Sequence, residues 1–165
     1  MILLINICKE NLHFNEFVKP VGDVLKNNDI KYKTKHYLDV KTSDINKAEK
    51  IIICGTSLAD NEFLKKENLK KFSWIKESKK PVLGICGGSH IIGLVLGYKK
   101  KRNLEIGMKR IKLKKNFLGI TGEINSYFLH QFKVLPKVYH KDNIYATLFH
   151  PEVRNNEIIL NFAKL

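Results

Sequence analysis

Residues Val82-Leu83-Gly84-Ile85-Cys86-Gly87-Gly88 constrain the fold of this chain more than any other stretch. An apolar run leads straight into G-x-C-x-G. A second apolar run, Ser89–Leu96, follows at helical length, with Gly97 as its stop signal. A strand that turns at once into a helix leaves little room for side chains at the crossing. Glycines two residues before and two after the cysteine supply that room. This is the layout of a nucleophile elbow, in a cysteine version. It places Cys86 at a helix N-terminus, where partial positive charge favours thiolate over thiol. It also leaves the Gly87 N–H free to face a developing oxyanion. A glycine-rich turn with an incidental buried cysteine is the competing reading, and the strand before and helix after favour the elbow.

The surrounding pattern suits such a turn. Met1–Cys8 is an apolar run bounded by polar residues, a buried strand. Asn15 is placed to cap a helix to about Asn28, with Pro20 in its first turns and Phe17, Val21, Val24 and Leu25 at helical spacing. Ile30–Tyr37 alternates as a half-exposed edge strand, and Ile51–Cys54 is a short apolar strand ending at Gly55. Asn61–Ser78 has a helical pattern, with Asp60 and Glu62 as capping candidates and Trp74 on its apolar side. Pro81–Ile85 is the strand that enters the elbow. The order β-α-β-β-α-β-α predicts a mostly parallel sheet covered by helices. The second half predicts strands at Ile106–Lys114, Ile120–Tyr127, Val134–Tyr139 and Tyr145–Phe149, then a closing helix over Asn155–Leu165. The expectation is one α/β domain over residues 1–165, with an antiparallel strand region added to its second half.

Composition excludes several classes. No apolar run reaches the ~18 residues of a membrane span. The opening MILLINIC lacks a basic leader and a small-residue cleavage site, so a cytoplasmic location is expected. The three cysteines, Cys8, Cys54 and Cys86, form no C-x-x-C pair, which argues against a disulfide framework and against zinc. Cys8 and Cys54 end apolar strands and read as buried, inert thiols. The net charge is +14, and residues Lys99–Lys115 carry nine basic residues against one acidic residue, Glu105. That run reads either as a solvated edge or as a docking face for an acidic partner. It has no interleaved aromatics to stack bases, which argues against nucleic acid.

A thiolate that cleaves an amide needs a proton shuttle. Of the six histidines, His150 stands apart: Tyr145-Ala146-Thr147-Leu148-Phe149-His150-Pro151-Glu152 is an apolar strand ending in His-Pro-Glu. Proline pushes the preceding residue towards extended backbone. Glu152, two positions on, can orient the imidazole and stabilise its charge, the third role of a triad.

These residues resemble the class I (triad-type) glutamine amidotransferases. That family carries G-x-C-x-G at its nucleophile and an aromatic residue before His-Pro-Glu near its end; Gly84–Gly88 and Phe149–Glu152 match both in order. The resemblance implies a flavodoxin-like fold, no cofactor, and Cys86, His150 and Glu152 as the catalytic triad. Ile51-Ile52-Ile53-Cys54-Gly55-Thr56 resembles the family's third-strand loop, which implies an oxyanion hole from the N–H groups of Gly55 and Gly87. Leu129-His130-Gln131-Phe132-Lys133-Val134-Leu135-Pro136 resembles a segment that often reads Ser-His-x-Asp-x-Val-x-x-Leu-Pro. His90 and His130 are then the substrate-contact candidates. Two positions depart from the pattern: His90 stands where the family commonly has a glutamine that holds substrate, and Phe132 replaces the aspartate.

The implied activity is hydrolysis of the glutamine side-chain amide through a γ-glutamyl thioester, with ammonia passed to a separate synthetase subunit. Resemblance to the glutaminase subunit of two-subunit guanylate synthetases suggests a pathway. The stretch Glu123-Ile124-Asn125-Ser126-Tyr127 with His130-Gln131 also resembles γ-glutamyl-amide hydrolases of the same fold, so a stand-alone γ-glutamyl hydrolase is the alternative. A non-catalytic binding or regulatory homologue is the third reading, raised by His90 and Phe132.

Overall fold

The computed structural model describes all of residues 1–165. Its strands are β1 Ile2–Asn6, β2 Tyr32–His36, β3 Lys50–Ile53, β4 Val82–Ile85, β5 Lys101–Phe117, β6 Ile120–Lys133, β7 Val138–Lys141 and β8 Ile144–Thr147. Six of them form one sheet in the order β2-β1-β3-β4-β8-β7, and β5 and β6 form a separate antiparallel ribbon. Within the sheet every neighbouring pair is parallel except β7 with β8. The expected architecture is therefore present. β2 lies at one edge, as its alternating Tyr-Lys-Thr-Lys pattern requires.

The central strands are apolar on both faces because both are covered. Ile2, Leu4, Ile52, Leu83 and Ile85 pack with Phe17, Val21, Leu25, Ile158 and Phe162 on one side. Leu3, Ile5, Ile51, Ile53 and Val82 pack with Phe72, Ile75, Ile91 and Ile92 on the other. The ribbon adds Ile111, Leu113, Phe117 and Phe128 to the first side. Each fully buried large side chain stabilises the fold by about 1.5–3 kcal/mol relative to exposure. No helix is long and apolar enough to cross a membrane.

Several boundaries differ from expectation for identifiable reasons. The first helix starts at Asn11, and Asn15 sits inside it, in a π turn over Phe14–Val18 that precedes the α segment Lys19–Lys26. Pro20 lacks an N–H and its ring crowds the carbonyl four residues back, so the turn before it widens. The single helix expected over Asn61–Ser78 is instead three short pieces: Glu62–Leu64, Lys66–Leu69 and Lys70–Glu77. Lys65 is extended at φ −62, ψ 141 and breaks the first from the second. The last piece is 3₁₀, and its three-residue period is what brings Phe72 and Ile75 to the core together. A short helix, Thr42–Lys47, was not anticipated; Asp44 accepts the Lys41 N–H at 2.9 Å to start it. The ribbon strands are 17 and 14 residues long, well beyond their predicted bounds. Register shifts between Arg102/Glu105 and Leu113/Phe117 interrupt the alternation that would have revealed them.

The elbow glycines are fixed by contact. A methyl group on Gly84 would lie 2.7 Å from the Gly88 carbonyl oxygen, and one on Gly88 would collide with the Ile53 carbonyl oxygen. Gly97 differs: it has open space around it but a φ of +91, the expected helix stop. Gly88→Ala should therefore cost about 3 kcal/mol or more, because the obstacle is backbone. Gly97→Ala should cost only about 1 kcal/mol, for the left-handed conformation alone. Urea unfolding midpoints of the two variants measure the difference, and equal losses would refute this account of the elbow.

Candidate active site

Cys86 follows β4 directly and has φ 46 and ψ −100, a region that a residue with a side chain adopts only under constraint. Its N–H donates to the Thr147 carbonyl on β8 at 2.8 Å, and its carbonyl accepts the His90 N–H at 3.1 Å. Gly87 opens the following helix, Gly87–Val95, so its N–H has no acceptor within that helix. The strand, tight turn and helix expected around G-x-C-x-G are all present.

His150 lies just beyond β8, with extended backbone at φ −99, ψ 92 ahead of Pro151. Its Nδ1 and Glu152 Oε1 are 2.7 Å apart, and both side chains are 1% exposed. Its N–H donates to the Tyr127 carbonyl on β6 at 2.9 Å. The Phe17 ring packs on the imidazole with centroids 5.4 Å apart. Burial alone would push the His150 pKa down, but the Glu152 carboxylate and the Cys86 thiol raise it well above the usual histidine value. Nδ1 of the ring is therefore the donor to Glu152, and Nε2 is left without a hydrogen-bond partner.

Gly55 lies against both groups. A methyl group there would sit 2.7 Å from Cε1 of His150 and 3.5 Å from Cβ of Cys86. Only glycine lets the ring and the thiol face each other across that gap. The Cys86 Sγ rests 3.4 Å from the Leu129 carbonyl oxygen on β6. The fold places Cys86, His150, Glu152, Gly55 and Gly87, far apart in the chain, together at the carboxyl ends of β3, β4 and β8.

A cavity of about 20 Å³ opens beside Cys86, about the room of one water. One wall is the loop Thr56–Asn61 with Phe63, and the other is Leu129–Phe132 of β6, with Gly87 and His90 between them. A single exposed hydrogen bond, Gln131 Nε2 to the Leu58 carbonyl at 3.3 Å, joins the two walls.

The two candidate contact residues, His90 and His130, both line this cavity. His90 is buried and packs against Phe132, the rings tilted at 43° with centroids 4.8 Å apart, so the two departures from the family pattern form one feature. Its Nε2 has no partner. Burial, then the neighbouring His130 and Lys100, push its pKa down to about 3. His130 Nε2 accepts from Asn103 Nδ2 at 2.9 Å, and its Nδ1 is unpaired. Burial holds it at about 4 against the pull of Glu105.

Asp60, expected as a helix cap, is instead a residue of this cavity. It is 4% exposed, and its Oδ2 accepts from Thr56 Oγ1 at 2.6 Å, the Lys9 N–H at 3.0 Å and His13 Nδ1 at 2.8 Å. Burial opposes ionisation, yet these donors bring its pKa below the ordinary aspartate value. A polar cluster Thr56-x-x-x-Asp60 right after the third-strand loop was the available signal. Cys8 and Cys54 are buried and free, as expected, and burial raises both thiols.

The His90 shift has a sign that can be checked. The unfolded chain binds a proton at this histidine near pH 6.5, and the fold resists it down to about 3. Between those values the unfolded state holds more protons. The contribution is therefore fully present above pH 6.5 and drains as pH falls towards 3. His90→Gln should remove up to about 3 kcal/mol of the stability lost between pH 7 and pH 4. Denaturant titrations at the two pH values test this, and an unchanged loss would show that His90 is protonated freely in the fold.

Comparison with known proteins identifies the family. The family model for glutamine amidotransferase class-I matches residues 15–159. Among curated proteins, the imidazole glycerol phosphate synthase subunit HisH 1 of Campylobacter jejuni is 27% identical, over 79% of this chain and 88% of its own. The corresponding HisH of Methanocaldococcus jannaschii is 29% identical, over 71% and 81%. Among solved structures, a Thermoplasma acidophilum protein proposed to belong to a GMP synthase superposes with a TM-score of 0.80, at 21% identity, covering 99% of this chain and 92% of its own. At that identity the likeness speaks to fold alone.

Proposed function

The chain belongs to the class I glutamine amidotransferase family, and from that membership we propose that it is a glutaminase subunit acting through Cys86, His150 and Glu152. The observation that carries the reading is the constrained Cys86 elbow beside a buried His150–Glu152 pair, with Gly55 between them. Cys86 attacks the side-chain carbonyl carbon of glutamine. The N–H groups of Gly87 and Gly55 hold the oxyanion. His150, oriented by Glu152, gives a proton to departing ammonia, leaving a γ-glutamyl thioester. It then takes a proton from water, which releases glutamate and restores the thiol. The whole of residues 1–165 serves as one glutaminase domain, working in the cytoplasm.

Cys86→Ala should abolish release of glutamate and ammonia from glutamine, while Glu152→Gln should lower kcat by about a hundredfold or more with the fold intact. Coupled assays of both products measure this. Cleavage of γ-glutamyl amides but not of glutamine would move the assignment to the hydrolase reading. Full activity in Cys86→Ala would overturn the reading altogether.

Ammonia passes to a separate synthase. The relatives named above are subunits of imidazole glycerol phosphate synthase, so that acceptor chemistry is the first to test, ahead of guanylate synthesis. The ribbon supports a docking role: Leu104, Ile106 and Met108 are all more than half exposed on the face that also carries Arg110 and Lys112. An apolar centre beside a basic rim complements a partner with an acidic rim. Arg110→Glu with Lys112→Glu should weaken synthase binding at least tenfold at low salt and much less at high salt. Unchanged affinity at low salt would reject this face.

A further inference from the structure

We propose that Asp60 is a specificity residue that reads the α-ammonium group of the amino-acid substrate, so that a free α-amine is a requirement of this site. The inference rests on the glutaminase reading of the pocket and adds how the rest of the substrate is recognised. It starts from an asymmetry in one side chain. All three donors to Asp60 converge on Oδ2, and Oδ1 receives no hydrogen bond from the chain. A carboxylate with a buried, saturated oxygen is held rigidly and presents its other oxygen as an acceptor.

The surroundings select for a cation. Asp60 shares the cavity with Cys86, and no other carboxylate, lysine or arginine lines it. The opposite wall offers Leu129, Phe132 and the unpaired His130 Nδ1, and His90 between the walls adds its unpaired Nε2. A substrate carrying an amide for Cys86 and an ammonium for Asp60 satisfies both walls. The next groove shares Leu58, Gln131 and Phe132 with this one and carries Lys100 and Arg102, which complement the carboxylate of the same headgroup. His90 stands where the resembled family commonly has a glutamine, and Asp60 supplies the polar recognition that the tilted His90–Phe132 ring pair does not. Admission of the substrate parts two walls joined by one exposed hydrogen bond.

The test compares two diazoketone reagents that alkylate the nucleophilic thiol. One is the glutamine-shaped amino acid. The other is its smaller analogue lacking the α-amine. Rates of Cys86 modification are followed by mass spectrometry in the full-length chain. Wild type should react about ten- to a hundredfold faster with the amine-bearing reagent, the range of a charge-assisted hydrogen bond. Asp60→Asn should bring the two rates to near parity by slowing that reagent alone. Should Asp60→Asn not fold, Ser57→Lys sets a competing ammonium on the same wall, leaves the Asp60 side-chain bonds untouched, and should abolish the same preference. Equal rates in wild type, or a preference that survives the variant, would overturn the role of Asp60 while leaving the glutaminase reading standing. No modification of Cys86 by either reagent would overturn both. Equal slowing with both reagents would mark Asp60 as structural and reject the proposal.

Discussion

The structure depends on the backbone of one residue. Cys86 is held at a positive φ that costs roughly 1–3 kcal/mol, and such a conformation persists only where its neighbours leave it no alternative. Gly84 and Gly88 provide that constraint by touching each other and the Ile53 carbonyl across the turn. β8 supplies the rest by accepting the Cys86 N–H at Thr147. Because β8 lies beside β4 in the sheet, the strand that pins Cys86 continues, three residues after that carbonyl, into His150. The parallel order of the sheet is therefore a condition of the site. It brings a turn from mid-chain and a His-Pro-Glu from near the end to the same end of adjacent strands, although the helix, the ribbon and β7 intervene in the chain.

The ribbon has a second, less obvious part in the arrangement. Along β6 the Tyr127 carbonyl takes the N–H of His150, and the Leu129 carbonyl takes the Cys86 thiol. Residues two apart on a strand project alike, so one edge of β6 holds the two candidate catalytic residues together. On the neighbouring strand, Met108 pairs with Tyr127 and Ile106 with Leu129. These are residues of the exposed apolar strip. The surface proposed for docking and the carbonyls that hold the site thus belong to one paired backbone, a single strand spacing apart.

Much of this was legible in the sequence, for physical reasons. The glycine spacing around Cys86 encodes a steric requirement that nothing else satisfies, and Pro151 encodes the extended backbone of His150. Uniformly apolar strands such as Ile51–Ile53 announce a sheet covered on both faces. The ribbon's length was hidden because the alternation breaks at the register shifts near its ends, between Arg102 and Glu105 and between Leu113 and Phe117. The segment 61–78 misled because a three-residue and a four-residue period are nearly indistinguishable over so few apolar positions. Asp60 was read as a cap, since a local role is always the nearer explanation for an aspartate before a helical pattern; its partners Lys9 and His13 come from the far side of the chain.

Charge is distributed in a way that separates two tasks. The excess of thirty basic over sixteen acidic residues lies largely outside the cavity. Within it, His90 and His130 stay neutral across the physiological range because the fold excludes water from them. The His150–Glu152 pair at the site's base is fully buried. In that low-dielectric setting a carboxylate neighbour favours the protonated imidazole strongly. That is the form required to deliver a proton to a leaving amine. Were the two lining histidines charged, they would oppose that imidazolium at close range. Their burial as neutral rings therefore spares the His150 imidazolium a like-charge repulsion.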